Sequence, residues 1–349
     1  MRDSLGLDTV TLRSSIDNPP AFSPPTLPES EADLTYDLGG EKKRARYATW
    51  NMRDLPDCPA AWLRVNKDSG EIKLDFSAKI LGENYFEGIK NETWDQVCTR
   101  IKEVHGLDVS DTSSWHVSRA DVTANLPVKD CWPYIFSAKH GLDWSFHQPD
   151  HQYDNTALWH NKSDRLRIYD KLAEMGITAS PTRRKKKSLS IPVPTSQVLR
   201  IEYQANKIEK LRKRIKLGSH YLQGSENPIV PDPMLSDYLE YKNQKIVSLD
   251  VWRQMKRING IDMGALGIAD FLRFSGLKIG TVRRMLGDVH LLQQIGDRAT
   301  IRAILWEKYP KQTASRVYKE MQKSWQIPDR QARKIADNLD EIDERIGAL

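Results

Sequence analysis

Alternation of apolar and polar residues predicts β-strands in the first part of the chain. In residues 61–81 two alternating runs flank the turn residues Lys67 to Gly70, which indicates a β-hairpin. A second hairpin is predicted to turn at Asn161 to Asp164. This second hairpin lies in the alternating segment 155–171. Two further segments, 114–128 and 198–204, also alternate and are predicted to be single strands. The pattern predicts a mainly antiparallel sheet.

Helical spacing of apolar residues predicts helices between and after these strands. Trp94, Val97 and Ile101 lie on one stripe of a helix, and Gly106 stands just past its end. A short helix is predicted at 131–141, and beyond the proline-containing loop NPIVPDP the pattern is helical to the end of the chain. The predicted C-terminal helices are 234–246, 248–258, 263–274, 278–288, 300–309, 313–325 and 328–346.

These elements predict an α+β fold in three parts. Residues 1–44 are rich in proline, serine and acidic side chains, and we expect a flexible tail because they bury too little apolar surface to offset the entropy lost on ordering. Residues 45–220 form the α+β domain, which an exposed basic loop at 178–196 interrupts. Residues 221–349 form an all-helical domain.

The charge distribution indicates a polyanionic partner. The chain has 53 Lys+Arg against 47 Asp+Glu, a formal net charge of +6, and its basic residues cluster in runs such as KIEKLRKRIK. Clusters of this kind are typical of nucleic-acid binding, although solvated faces also collect lysine. The run expected to contact DNA phosphates, with a solvated loop as the alternative, consists of Arg183, Arg184, Lys185, Lys186 and Lys187.

Several classes of protein are disfavoured by the sequence. Cys58, Cys98 and Cys131 are odd in number and widely separated, so neither a disulfide framework nor a zinc module is expected. No apolar N-terminal signal and no run of ~18 apolar residues is present, so we expect a cytoplasmic protein without a membrane span. The phosphate-binding loop of an ATP-driven helicase is also missing.

Charged side chains occupy one face of each of three predicted strands. If the strands share a sheet, their charged faces meet. These side chains, in chain order, are Arg119, Asp121, Arg167, Tyr169, Lys171, Arg200 and Glu202. One interpretation is a set of cross-strand ion pairs, each contributing at most ~1 kcal/mol on an exposed sheet face.

The other interpretation is phosphoryl transfer. Asp121 and Glu202 offer hard oxygen ligands for Mg²⁺ or Mn²⁺. Tyr169 would attack phosphorus, because a nearby cation favours its ionised form, and Lys171 would stabilise charge on a non-bridging or leaving oxygen. A third metal ligand or support is sought at the two ends of the tyrosine hairpin, where the candidates are His160 and Glu174.

Three segments, SRADVTAN, RLRIYDKLAE and LRIEYQ, resemble the gene II replication proteins of filamentous phages and the related initiators of one class of rolling-circle plasmids. Those families have an Arg-x-Asp strand, a Tyr-x-Lys-x-x-Glu stretch and an Arg-x-Glu strand in this order. The resemblance covers roughly residues 110–215. The basic insertion at 178–196 is longer than expected for the families. The matching residues are Arg119, Asp121, Tyr169, Lys171, Glu174, Arg200 and Glu202.

The resemblance implies a metal-dependent, site-specific endonuclease. Such a protein nicks origin DNA, stays joined to the 5′ phosphate through a tyrosine, leaves a 3′ hydroxyl for polymerase and later religates the strand. The implied partners are single- and double-stranded origin DNA, a host helicase and a host DNA polymerase, and a homodimer is left open. Tyr153 and Tyr203 are rival nucleophiles. The alternative function is a non-catalytic origin-binding replication or regulatory protein.

Overall fold

The computed structural model describes eight ranges of the chain. The chain divides into two compact units. The first unit comprises Met1–Cys131, Trp144–Met255 and Glu344–Leu349, and the second comprises Trp132–Asp143 and Lys256–Asp343. The described residues are 2–14, 30–38, 41–51, 61–150, 155–176, 194–223, 233–258 and 268–349.

The first unit is built on a ten-stranded sheet in which each strand pairs antiparallel with its neighbours. The predicted α+β class, with a mainly antiparallel sheet and a helical C-terminal region, is confirmed. Two further strands, β7 (Leu142–Trp144) and β12 (Met255–Arg257), form a separate two-stranded sheet. In spatial order the strands of the large sheet are β2 (Ser30–Leu38), β3 (Glu41–Asn51), β4 (Ala61–Asn66), β5 (Ile72–Ser77), β1 (Ser4–Ser14), β6 (Trp115–Val128), β11 (Gln197–Ala205), β10 (Asp164–Asp170), β9 (Thr156–His160) and β8 (Gln148–Pro149).

Both predicted hairpins are confirmed, and asparagine side chains close their turns. Between β4 and β5 the Asn66 Oδ1 atom accepts hydrogen bonds from the backbone N–H groups of Asp68 and Ser69 at 2.9 and 3.1 Å. Between β9 and β10 the Asn161 Oδ1 atom accepts from the backbone of Ser163 and Asp164 at 2.7 and 3.0 Å. In each turn the asparagine side chain satisfies backbone N–H groups that have no partner strand to pair with, which is why asparagine is favoured at such positions.

The prediction of a flexible tail over residues 1–44 was wrong for most of that range. Ser4–Ser14 is the central strand β1, placed between β5 and β6, and residues 30–38 and 41–44 lie in β2 and β3. The physical reason is that Leu5, Leu7, Val10 and Leu12 give β1 an apolar face that is fully buried. The proline-rich stretch 15–29 lies outside the described residues.

Helices cover the apolar face of the sheet. The helices α4 (Ile208–Gln223), α5 (Leu235–Leu239) and α6 (Tyr241–Gln254) contact the central strands β1, β6 and β11. The first unit therefore extends to Met255, past the predicted boundary at 220, because α5 and α6 belong to its core. The predicted helix α1 (Asn91–His105) is confirmed, and Gly106 ends it in the left-handed conformation.

A 3₁₀ segment, Ala78–Glu87, lies against the opposite, polar face of the sheet. It is fixed by two backbone hydrogen bonds of 2.9 Å between Leu7 and Ile89. Gly6 and Gly88 meet backbone to backbone beside this bridge. The segment thereby carries Tyr85 to one end of the polar face, and the other end is left more exposed.

The second unit consists mainly of helices, which are α2 (Trp132–Gly141), α7 (Ile268–Ser275), α8 (Ile279–Ile295), α9 (Arg298–Lys308) and most of α10 (Lys311–Ala348). A stacked ring pair, Phe136 and Phe274 with centroids 4.1 Å apart, joins α2 to α7. Ile301, Met321 and Trp325 form a core shared by α9 and α10. The two helices predicted at 313–325 and 328–346 are one continuous helix that contains Pro328. No helix in the described ranges combines the length and the apolar character needed to span a membrane.

The Gly6–Gly88 contact yields a stability prediction. A Cβ atom on Gly6 would lie 2.6 Å from the Gly88 Cα atom, so Gly6→Ala must push two backbones apart. We expect the free energy of unfolding in urea, followed by circular dichroism, to fall by about 1–3 kcal/mol. Gly280→Ala is the control, because the added Cβ meets no described atom within 4 Å. Equal stability of Gly6→Ala and the unaltered protein would contradict the contact.

Candidate active site

The charged faces of the three strands meet in one surface, as predicted. Strands β6, β11 and β10 are neighbours, and their antiparallel register aligns polar residues in three rows that run across the strands. The rows, written from β10 to β6, are Tyr169, Arg200 and Asn125; Arg167, Glu202 and Thr123; and Arg165, Gln204 and Asp121.

Tyr169 is held by a carboxylate. Its side chain is 3% exposed, and its hydroxyl donates a 2.7 Å hydrogen bond to Oε2 of Glu202. Arg167 donates to the other oxygen of Glu202 and lies 5.0 Å from the centroid of the Tyr169 ring.

The Tyr169 hydroxyl is neutral in this arrangement. Burial raises the pKa of Tyr169 well above its ordinary value, the Glu202 charge adds to the rise, and the nearby arginines oppose it. Desolvation and the Glu202 carboxylate outweigh the arginines alone, so the expectation that a bound metal cation favours the ionised tyrosine stays a prediction. Glu202 is placed to take the phenolic proton.

Lys171 approaches the tyrosine from a helix. Strand β10 ends at Asp170, whose carboxylate accepts from the backbone of Leu172 and Ala173 and so caps the short helix α3 (Lys171–Glu174). The prediction that the strand continues through Lys171 was wrong for this reason. The buried Nζ atom of Lys171 nevertheless lies 5.6 Å from the centroid of the Tyr169 ring, and it donates a 2.8 Å hydrogen bond to Glu174. Burial lowers the pKa of Lys171, and the Arg200 charge lowers it further.

Asp121 is buried against Arg119. The two guanidinium nitrogens Nε and Nη2 of Arg119 donate to the two oxygens of Asp121 at 3.1 and 2.7 Å. Burial nevertheless raises the pKa of Asp121 to about 7, and the charges of Glu202 and Asp8 also favour its protonated form. This carboxyl group therefore titrates near neutral pH.

Arg200 connects the face to a residue that the sequence did not point to. Arg200 is 1% exposed, and its Nη1 atom donates to Asp8 at 2.5 Å and to the Tyr85 hydroxyl at 3.1 Å, while Nε donates to Asn125 at 2.7 Å. Burial opposes ionisation of Asp8, but the charges of Arg200 and Lys171 lower its pKa to about 2. Asp8 is thus a third carboxylate of the site.

A β-bulge explains why Asp8 was missed. Leu7 pairs with Val122 and Thr9 pairs with Asp121, so Asp8 is the extra residue of β1. The sequence signal is a shift in phase: the buried leucines stand at positions 5 and 7, whereas the next buried apolar residues stand at 10 and 12. The shift indicates a bulge only if these residues form a strand, and residues 1–44 were predicted to be a tail.

The candidate metal ligands are only partly brought together. Asp121 and Glu202 share one face on adjacent strands, but their oxygens accept hydrogen bonds from protein donors. His160 pairs with Arg165 three strands from Asp121, which separates them by about 14 Å. Glu174 is bonded to Lys171. Across the described ranges no group of three or more His, Cys, Asp or Glu residues is placed to hold a metal ion. Within the described residues, Asp121 and Glu202 are the two predicted oxygen ligands on this face, and Asp8 is paired with Arg200.

The remaining predicted residues are the basic run, Tyr153 and Tyr203. The basic run 183–187 and the rival nucleophile Tyr153 fall outside the described residues. Tyr203 lies on the apolar side of the sheet, where its hydroxyl donates to Asp164 at 3.2 Å and accepts from Arg214 at 3.2 Å. Tyr203 is thus separated from the charged face by the sheet itself.

Comparisons of the chain with protein-family models, with curated proteins and with solved structures find no match.

The Asp8–Arg200 pair yields a second prediction. Asp8→Ala leaves the Arg200 guanidinium buried without its counter-ion, so we expect the free energy of unfolding to fall by about 3–5 kcal/mol. Urea denaturation measures it. Glu103→Ala breaks an exposed ion pair with Arg100 and is expected to have no measurable effect. If the two variants were equally stable, Asp8 would not be the counter-ion that Arg200 depends on.

Titration of Asp121 yields a third prediction. Because its folded-state pKa of about 7 exceeds the ordinary value of 3.8, its contribution to stability is complete below pH 3.8 and is lost as the pH rises to about 7. The unaltered protein should lose at most ~1.4 kcal/mol per pH unit from this group within that window. Asp121→Asn should remove this dependence in urea denaturation at a series of pH values.

Arg119→Gln serves as the matched variant for this titration. The Arg119 hydrogen bonds oppose the rise in the Asp121 pKa, so their removal should move the window to higher pH. If Asp121→Asn kept the pH dependence of the unaltered protein, another group would be responsible.

Proposed function

We propose that the protein nicks and rejoins DNA through Tyr169 and initiates rolling-circle replication. The observation that carries the proposal is the 2.7 Å hydrogen bond from the Tyr169 hydroxyl to Glu202, inside a buried face that also holds Lys171 and Arg200. A nucleophile, a base in contact with it and adjacent cations are the groups that attack on a phosphodiester requires.

The reaction begins with a proton transfer. As the Tyr169 oxygen attacks phosphorus, its proton passes to Glu202, and the bond from phosphorus to the 3′ oxygen breaks. The 5′ end of the cut strand is then joined to the tyrosine. Lys171, whose pKa is lowered by burial, lies beside the ring and donates a proton to the departing 3′ oxygen. Religation is the same sequence in reverse.

Cations around the tyrosine stabilise the charge that develops on the phosphate. The guanidinium of Arg167 and the ammonium of Lys171 lie 5.0 and 5.6 Å from the centre of the Tyr169 ring. Both are ordered by protein carboxylates, Glu202 and Glu174, so they need little rearrangement when the phosphate binds. Loss of one such stabilising group typically costs on the order of 10²-fold in rate.

A divalent cation belongs to the proposal. Mg²⁺ or Mn²⁺ held by Asp121 and Glu202 would polarise the scissile phosphate. The hard carboxylate oxygens suit these ions, and the pKa of Asp121 near 7 implies that a cation competes there with a proton. We further propose that the protein acts in the cytoplasm on single- and double-stranded origin DNA, with a host helicase and DNA polymerase.

A second function, origin binding without chemistry, is favoured by one observation. Asp121 accepts hydrogen bonds from Arg119 of the same strand, and Glu202 accepts from Arg167 and Tyr169 of the neighbouring strand, as a purely structural set of pairs would require. Such a protein would bind the origin and recruit replication factors. The covalent adduct decides between the two functions, because only the first forms it.

The fourth prediction tests the nucleophile. Tyr169→Phe removes one oxygen and almost no packing volume, so we expect folding and DNA binding to persist. Nicking of supercoiled cognate plasmid in Mg²⁺ should disappear, and so should the covalent adduct. The adduct is trapped on a 5′-cleaved oligonucleotide, digested with protease, and the modified peptide is identified by mass spectrometry.

Two variants control this experiment. Tyr203→Phe removes a hydroxyl on the opposite side of the sheet and should leave nicking intact. Glu202→Gln keeps the size of the side chain but removes the base, and it should lower the rate of adduct formation by at least ~10²-fold. Normal nicking by Tyr169→Phe would exclude Tyr169 as the nucleophile. Absence of an adduct in the unaltered protein would favour the second function.

A further inference from the structure

The polar face of the sheet continues past the candidate site into β1, β5 and β4. The register places Arg13 of β1 directly opposite Lys73 of β5, and Lys73 directly opposite Arg64 of β4. Three cations thus stand side by side on adjacent strands, about 4.8 Å apart from strand to strand. We call Arg13, Lys73 and Arg64 the basic row.

The basic row is unfavourable for the isolated protein. Like charges directly opposite each other destabilise a sheet. The pKa of Lys73 is lowered by burial and by the charges of both arginines, while the charges of Asp75 and Glu71 oppose the shift. Arg13 reaches Glu71 at 3.9 Å, and the ion pairs formed within the described ranges include none for Lys73 or Arg64. Three adjacent cations, of which only Arg13 forms an ion pair within the described ranges, fit a polyanion.

An aromatic side chain adjoins the basic row. Trp62 of β4 lies two residues from Arg64 on the same face, opposite Asp75, and is partly exposed. The Arg64 guanidinium is 5.3 Å from the centroid of the Trp62 ring. Cations that track a backbone beside an aromatic ring on which a base stacks are typical of sheets that bind single-stranded nucleic acid.

Partly exposed arginines connect the basic row to the tyrosine. Arg119 lies opposite Thr11, one row from Arg13, and its side chain is 37% exposed. Arg165 and Arg167 follow along β10 towards Tyr169. Strand and residue spacings give a path of about 30 Å from the basic row to Tyr169. The whole path lies on one sheet within the first unit.

We propose that this face binds a single strand of DNA, with phosphates on the basic row and a base stacked on Trp62, and leads the strand to Tyr169. The destination of the strand rests on the proposed function, whereas the binding surface does not. A duplex fits less well, because its grooves accept a helix or a two-stranded ribbon, and this surface spans several adjacent strands.

The test measures fluorescence anisotropy of a labelled oligothymidylate, about 15 nucleotides long, with the full chain carrying Tyr169→Phe. Replacing the basic row by Arg13→Gln, Lys73→Gln and Arg64→Gln should reduce the slope of log affinity against log salt by about 2, since each phosphate contact to a single strand contributes ~0.7. Trp62→Ala should weaken binding roughly tenfold at every salt concentration and leave the slope unchanged.

The matched control removes three exposed cations elsewhere in the same unit. Arg100→Gln, Lys102→Gln and Lys242→Gln together should leave the salt slope unchanged. The charge-retaining double variant Arg13→Lys and Arg64→Lys should keep the slope of the unaltered row, which separates loss of charge from loss of folding. An unchanged slope after loss of the basic row, or tighter binding of a duplex of equal length, overturns the proposal.

The outcome is separable from that for the proposed function. A reduced slope in the basic-row variant, together with no tyrosyl adduct in the unaltered protein, supports the single-strand surface and overturns the nicking function. A normal adduct in the unaltered protein together with an unchanged slope in the basic-row variant supports the nicking function and overturns the single-strand surface. Nicking by the basic-row variant in the presence of Tyr169 gives a further readout, because it should need a higher concentration of a single-stranded substrate to reach half its maximal rate.

Discussion

The polar side of this sheet depends on the ion pair and hydrogen bonds of the buried Arg200 guanidinium. A charge with 1% exposure is tolerated only where its hydrogen-bond donors are used and a counter-ion is close. Arg200 obtains these from β1 through Asp8, from β6 through Asn125 and from the 3₁₀ segment through Tyr85. One side chain of β11 therefore fixes three other parts of the fold, and the bulge in β1 is what brings Asp8 into reach.

This arrangement also sets the electrostatics of the tyrosine. The 3₁₀ segment, fixed by the Leu7–Ile89 bridge, covers the end of the sheet where Tyr169 lies. Desolvation there raises the pKa of Tyr169, so the phenol stays protonated, and it lowers the pKa of Lys171. The pKa values of the nucleophile and of the candidate acid are therefore both shifted from their ordinary values. The same removal of water strengthens each charge interaction with a bound phosphate.

Towards its other end the same face is more exposed and more basic. The side chain of Arg119 is 37% exposed and that of Arg13 is 48% exposed, whereas Tyr169 is 3% exposed. The carboxylates Asp8, Asp121 and Glu202 are each paired with an arginine, and Asp75 of β5 lies beside the basic row. The face thus combines a buried end with paired charges, suited to chemistry, and a more basic end suited to a polyanion. That division supports both proposals made for it.

Local pattern determined much of this protein. Alternation and turn residues are short-range properties, so both hairpins, helix α1 with Gly106, and the charged faces of β6, β10 and β11 follow from the sequence alone. Only the tertiary structure decided that Ser4–Ser14 is a central strand, because its burial depends on β5 and β6, which are distant in sequence. It also decided that Asp8 joins the site and that Tyr169 is neutral, since a bulge is defined by the partner strand and a pKa by the balance of burial against surrounding charges.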